Sequence, residues 1–191
     1  MSTSSARQGH SGTLSPEYAL LGFLLGGPSH GYDLHQRFVS ELGYVWHMSQ
    51  SQAYSIFKRL EARGDVSARM VEQNKAPARQ ELRITAAGRR RFLEWLEKGC
   101  GTNARSIRLE LLTRLYFAKL HRPDMAPGIL GMQLREIEND IARLGRALDA
   151  LPPEQTYNRL SLDLRVRQMQ LIQKWVGEIG RLFGIPLRVD E

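Results

Sequence analysis

Apolar residues recur along this chain every three or four positions, and only one stretch in the first half switches to strict alternation. The first helical pattern opens at Ser15 and Pro16, where Ser suits an N-cap, Pro a first turn and Glu17 the helix dipole. Leu20, Leu21, Phe23, Leu24 and Leu25 give it a buried body, and GGPSHG ends it. A second helix is expected from about Tyr32 to Leu42, with Leu34, Phe38 and Leu42 on one side. The third, SQSQAYSIFKRLEARG from Ser49 to Gly64, carries the Ser49/Gln52 spacing of a capping box. Its apolar face is Ala53, Ile56, Phe57 and Leu60; its other face is Gln50, Ser51, Gln52, Tyr54, Ser55, Lys58 and Arg59. The period then changes to two in VSARMVE (Val66 to Glu72) and QELRIT (Gln80 to Thr85), which read as the strands of a hairpin turned by QNKAPAR. Thr85 caps a fourth helix to Glu97, with Phe92, Leu93, Trp95 and Leu96 as its apolar set.

Beyond KGCGTN every pattern is helical. Arg105 to His121 is apolar around more than one face, which predicts burial against two neighbours, and Pro123 breaks it. The next helix places Leu130, Leu134, Ile137, Ile141, Leu144, Leu148 and Leu151 at alternating steps of four and three, a heptad seam closed by Pro152 and Pro153. A last helix, from roughly Thr156 to Phe183, offers Met169, Ile172, Trp175, Val176, Ile179 and Leu182. The predicted fold is mainly α with a small β-hairpin wing: a flexible tail over 1–13, a winged helix-turn-helix over 14–98 and a helical dimerisation domain over 103–186. The seam is expected to pair within the chain and also to dock on a second subunit. Its expected dimerisation residues are Leu130, Leu134, Ile137, Ile141, Leu144, Leu148, Ile172, Trp175 and Ile179.

Composition sharpens this picture. At 191 residues and 42% hydrophobic, the chain can bury a sizeable core, and its only cysteine, Cys100, sits between two glycines at the apparent boundary. No apolar run approaches the roughly 20 residues of a membrane span, and the opening segment lacks the apolar stretch of a secretory signal, so a cytoplasmic protein with no membrane partner is expected. The net charge of +7 is concentrated: from Lys58 to Arg91 there are ten Lys or Arg against four Asp or Glu. A basic segment beside an amide- and hydroxyl-bearing helix points to a polyanion. Amides and guanidinium groups can pair with base edges, while Lys75 and Arg79 on the hairpin tip suit phosphates. Double-stranded DNA is therefore the expected partner, with Gln50, Ser51, Gln52, Tyr54, Ser55, Lys58, Arg59, Lys75 and Arg79 as its contacts. The chain offers no phosphate-cradling Gly loop, nucleophile elbow or metal-ligand set, and His30 and His35 have no matching ligands nearby. Neither an enzyme nor a cofactor or metal is expected.

Four segments carry a family resemblance: ALLGFLLGGPSHGYDL, WHMSQSQAYSIFKRLE, PARQELRITAAGRRRFLEWL and IRLELLTRLYFAKL. In this order they resemble the PadR family of bacterial transcriptional regulators, in particular the subfamily whose C-terminal half is similar to the virulence-activator alpha domain. The resemblance implies a dimeric repressor on an inverted repeat. It places Ser51, Gln52, Tyr54, Lys58 and Arg59 on the DNA-reading helix and Pro77, Ala78 and Arg79 on the wing. Where relatives carry an aromatic residue in the second wing strand, this chain has Glu81 and Leu82. Relatives that sense phenolic compounds or drugs use aromatic surfaces near the dimer interface, which makes Trp95 and Trp175 the candidates for a small aromatic effector; each also fits a plain core position. A second reading stays open, in which the winged helix binds a protein rather than DNA.

Overall fold

Local chemistry sets the helix ends. In a computed structural model of the chain, which describes residues 14–73 and 76–183 with the side chains of 72–79 excepted, α1 spans Glu17–Leu25. Its N-cap position is taken by Pro16, one residue later than expected, while Ser15 Oγ accepts a long 3.4 Å bond from the Glu17 N–H. After a two-residue strand β1 (Ser29–His30) come α2 (Gly31–Leu42) and α3 (Gln50–Ala62). The capping box is present: Gln52 N donates to Ser49 Oγ at 3.2 Å and Ser49 N donates to Gln52 Oε1 at 2.8 Å. Gly64, at φ +74°, terminates α3, with its N–H on the Glu61 carbonyl and the Asp65 N–H on that of Leu60. A side chain there would be strained, because only glycine adopts this backbone freely.

The hairpin is longer than the alternation showed. β2 (Val66–Gln73) pairs antiparallel with β3 (Ala76–Ile84), with an irregularity between Val71 and Gln73, and β1 adds a third strand in the order β1-β3-β2. PAR therefore belongs to a strand rather than a turn. β1 meets β3 only at Leu82 and Glu81, so near Pro77 one side of β3 faces no strand among the described residues, and the missing N–H breaks no ladder there. Two residues of SH are too few to show any period. Then α4 (Ala86–Glu97) starts at Thr85, whose Oγ1 accepts from Gly88 N at 3.1 Å and donates to the Gly64 carbonyl at 2.6 Å, joining the end of α3 to the start of α4.

The expected helix from Arg105 is an α-turn α5 (Ala104–Ser106), a π-helical segment (Ile107–Leu111) and α6 (Leu112–His121). Asn103 caps it by accepting from Ser106 N at 2.9 Å. A single turn (Pro123–Met125) leads to α7 (Ala126–Asp149), and α8 (Thr156–Leu182) returns along it. The two halves of the chain share one apolar core. Phe117 of α6 is fully buried and meets Phe23 of α1 and Phe92 of α4 edge-to-face, at 5.1 and 5.6 Å between ring centroids. Its ring lies so close to Gly22 that a Cβ there would stand 2.6 Å from a ring carbon. Trp46, between α2 and α3, donates its Nε1–H to Thr113 Oγ1 at 2.8 Å, a second tie between the halves.

Gly22→Ala should therefore overpack this junction, since the aromatic ring it meets is held on two sides. A loss of about 1 to 3 kcal/mol is expected in urea unfolding, whereas an unshifted midpoint would mean that α1 and α6 do not approach this closely.

Candidate nucleic-acid interface

The amphipathic pattern of α3 is realised side chain by side chain. Ala53, Ile56, Phe57 and Leu60 are buried, and Gln50, Ser51, Gln52, Tyr54, Ser55, Lys58 and Arg59 are all exposed. No carboxylate interrupts the helix before Glu61. The exposed groups are not equally free. Gln52 Oε1 accepts the capping bond, which fixes the amide at the first turn of α3. The Ser55 hydroxyl donates back to the Ser51 carbonyl at 3.0 Å. Tyr54 packs edge-to-face on Phe57 at 5.6 Å and lies against Gly31, so its ring stands beside the start of α2. Gln50 and Lys58 make no side-chain hydrogen bond or ion pair among the described residues.

Arg59 also reaches back to α1. Its Nε and Nη2 bond Glu17 Oε1, at 2.6 and 2.5 Å, while half of its side chain stays exposed. Glu17 is not an exposed dipole partner; its side chain is 8% exposed and is also bonded by Arg63 Nη2 at 2.5 Å and Arg91 Nη2 at 3.3 Å. Arg63 and Arg91 in turn share the buried Asp65. Two carboxylates and three guanidiniums thus pin α3 to α1 and α4. Burial alone would raise the Glu17 carboxyl, but the hydrogen bonds and charges of Arg63 and Arg59 outweigh it and hold the group below the usual range. A glutamate beside an apolar helix body, followed by an arginine-rich segment, was the sequence signal for this network.

On the wing, Lys75 and the side chain of Arg79 lie outside the described residues, as do residues 1–13 and the end of the expected second domain at 184–186. The backbone of Arg79 pairs across from Val71. His30 Nδ1 lies 3.4 Å from the Gln80 carbonyl and His35 Nε2 3.0 Å from that of Met48, and no group of three metal-ligating side chains occurs among the described residues. No described helix is long and apolar enough to cross a membrane.

Of the expected dimerisation residues, Leu130 and Ile137 are fully buried and Leu144 nearly so, with Leu134, Ile141 and Leu148 half-buried, because the seam of α7 faces α8 of the same chain, the intrachain part of the expected pairing. Ile179 is buried and Ile172 half-buried in that packing, while Trp175 is exposed. What remains open is the other face of α8, where Leu160, Leu164, Leu171, Trp175 and Leu182 recur at steps of four, seven, four and seven. Leu171 is 69% and Leu182 84% exposed there. This second heptad was legible in the sequence but hidden by the residues chosen to pack inward.

Trp95 and Trp175 belong to different surfaces. Trp95 is buried, stacked on Tyr18 at 4.7 Å and 5°, with the Arg114 guanidinium 4.4 Å over its ring. Arg114 is itself buried; it donates to the Trp95 and Lys98 carbonyls and pairs with Glu110 at 3.4 Å. Tyr18, Trp95, Arg63, Arg91 and Arg114 line a cleft of about 630 Å³ that Cys100 also borders. Cys100 is no flexible-linker thiol. It is buried, its Sγ donates to Gln133 Oε1 at 2.9 Å, and burial pushes the thiol up to about 12, so it stays protonated and unreactive at neutral pH.

Comparison with known proteins follows the same lines. Residues 20–94 match the model of the family described as "Transcriptional regulator PadR-like family". The negative transcriptional regulator PadR of Bacillus subtilis is 25% identical over 135 residues, 71% of this chain and 74% of its own length. Among solved structures, Bacillus subtilis PadR in complex with operator DNA is 22% identical, covering 87% of this chain and 98% of that one at a TM-score of 0.44. The Vibrio cholerae virulence activator AphA is also 22% identical, covering 86% and 95% at a TM-score of 0.37.

The Glu17 network yields a pH-dependent expectation. A carboxylate held below its unfolded pKa adds stability that is fully present above that value, about 4.3, and is lost as pH falls through the folded value. Glu17→Gln should lower stability at pH 7 by about 1 to 3 kcal/mol, less than for a fully buried pair because all three arginines keep contact with solvent. Unfolding curves between pH 3 and 7 should be flatter for the variant; parallel curves would mean that Glu17 carries none of the acid sensitivity.

Proposed function

We propose that this chain, whose residues 20–94 match the PadR-like family of transcriptional regulators, acts as a cytoplasmic homodimeric repressor that occupies an inverted-repeat operator and is released by a small aromatic effector. The observation that carries DNA reading is the face of α3, polar or cationic without a carboxylate up to Glu61 and held in place from behind by Glu17. Repression is supported by the relative in Bacillus subtilis, a negative regulator. Lys58 supplies a free cation for phosphate; Gln50 and Tyr54, in the first turns, are the groups placed to meet bases. Lys75 and Arg79 extend the contact along the wing. With two-fold symmetry, half-site centres should lie about 10 base pairs apart or a multiple of that.

Dimerisation is assigned to the open stripe of α8, Leu160, Leu164, Leu171, Trp175 and Leu182, whose exposure on one side of a long helix demands a cover. For the effector, the stacked Tyr18 and Trp95 offer aromatic surface in a cleft of about 630 Å³, which suits a small aromatic molecule.

Fluorescence anisotropy of labelled duplex against salt tests the core of this reading. The wild type should bind with a steep negative log–log slope, Lys58→Ala should flatten it by about 0.9, and small aromatic molecules should release the complex. Absence of any salt-dependent binding would favour the protein-binding alternative. For the dimer, Leu164→Lys with Leu171→Lys should sediment as a monomer at micromolar concentration and bind DNA more weakly, as two half-sites are no longer linked. A variant that stays dimeric would move the interface off α8.

A further inference from the structure

Two clefts separate the winged helix from the helical half, and their arginines differ in kind. In the one beside Trp95, Arg63, Arg91 and Arg114 are each matched by a carboxylate: Glu17, Asp65 or Glu110. The other, of about 580 Å³, opens along the edge of α3 formed by Ser51, Ser55 and Arg59, and its opposite wall brings His47, Arg105 and Arg108. No carboxylate lines it. Arg105 and Arg108 are exposed and, among the described residues, neither has an acidic partner. Two exposed cations three residues apart without a counter-charge raise the local positive potential, and a polyanion lying across them gains from both.

We propose that Arg105 and Arg108 bind the phosphodiester backbone of duplex DNA, so that the helical half grips the same duplex that α3 reads. This rests on the DNA-binding reading above and extends it to a half of the chain not otherwise assigned contact with DNA. The position fits the geometry of a helix in the major groove, which is flanked by a row of phosphates on each side. On one flank of α3, Tyr54 borders a depression shared with His30, Tyr32 and Gln80 of the sheet side. The arginine cleft borders the other flank. The placement is rigid as well: Arg108 Nη1 donates to the Val45 carbonyl at 3.2 Å, and the neighbouring Trp46 is bonded to Thr113, so the segment leading into α3 and the start of the helical half move together. A cation fixed in this way beside the reading helix, as Arg108 is, costs little further ordering when DNA arrives.

The test uses the full-length protein and the salt dependence of binding to labelled duplex. Arg105→Gln with Arg108→Gln should flatten the log–log slope by about 1.8, the equivalent of two phosphate contacts. Because Arg108 also holds Val45, Arg105→Gln alone is carried alongside; with no hydrogen bond of its own among the described residues, it should remove about 0.9. Arg135→Gln with Arg146→Gln, the same charge removed from exposed positions of α7, should leave the slope unchanged. A wild type that binds with a steep slope which the Arg105 and Arg108 variants fully retain overturns this inference while DNA binding stands. An equal flattening in the α7 control overturns it too, by reducing the effect to net charge. A wild type with no salt-dependent binding removes the DNA reading and this inference together.

Discussion

The carboxylate of Glu17 is the point on which the winged helix turns. It is buried under α1 and reached by arginines from α3 and α4, so that the helix presented to DNA is fixed by charge as well as by its apolar face. Apolar packing alone constrains a helix against sliding and rolling only weakly, since leucine and phenylalanine contacts are non-directional. Hydrogen-bonded guanidiniums are directional. Arg59 and Arg63, one turn apart near the end of α3, set the rotation of the exposed face that begins at Gln50.

The same anchoring divides the basic residues of the chain into two populations. Those with acidic partners, Arg59, Arg63, Arg91 and Arg114, hold elements together and line the cleft beside Trp95. Those without, Lys58 on α3 and Arg105 and Arg108 at the start of the helical half, remain exposed on or beside the reading face. Net charge near a DNA-binding element is thus a poor count of its contacts; what matters is which cations have already found an acid.

The junction of the halves gives this arrangement mechanical consequence. Phe117 sits in the core of the winged helix, Trp46 is bonded to Thr113 and Arg114 closes over Trp95 and the carbonyls that end α4. A helical half wired in this way is fixed to the segment leading into α3 and to the end of α4.

Much of this was written in the order of residues. Helix periods, the Ser49/Gln52 capping box, the Gly64 terminus and the alternation from Val66 are local signals, because each depends on neighbours within a few positions, and they gave the elements and the exposed face of α3. The heptad of α7 was equally plain, but periodicity says only that a stripe will be covered and not by what; the fold turned it toward α8 and left Leu171 and Leu182 outside. The strand Ser29–His30 was invisible because it exists only through pairing with β3. Which cations stay free was also a tertiary decision. Glu17 and Arg59 lie 42 residues apart, so no local rule could pair Arg59 with α1, and nothing short of the folded chain could set Arg105 and Arg108 beside Ser51 and Ser55.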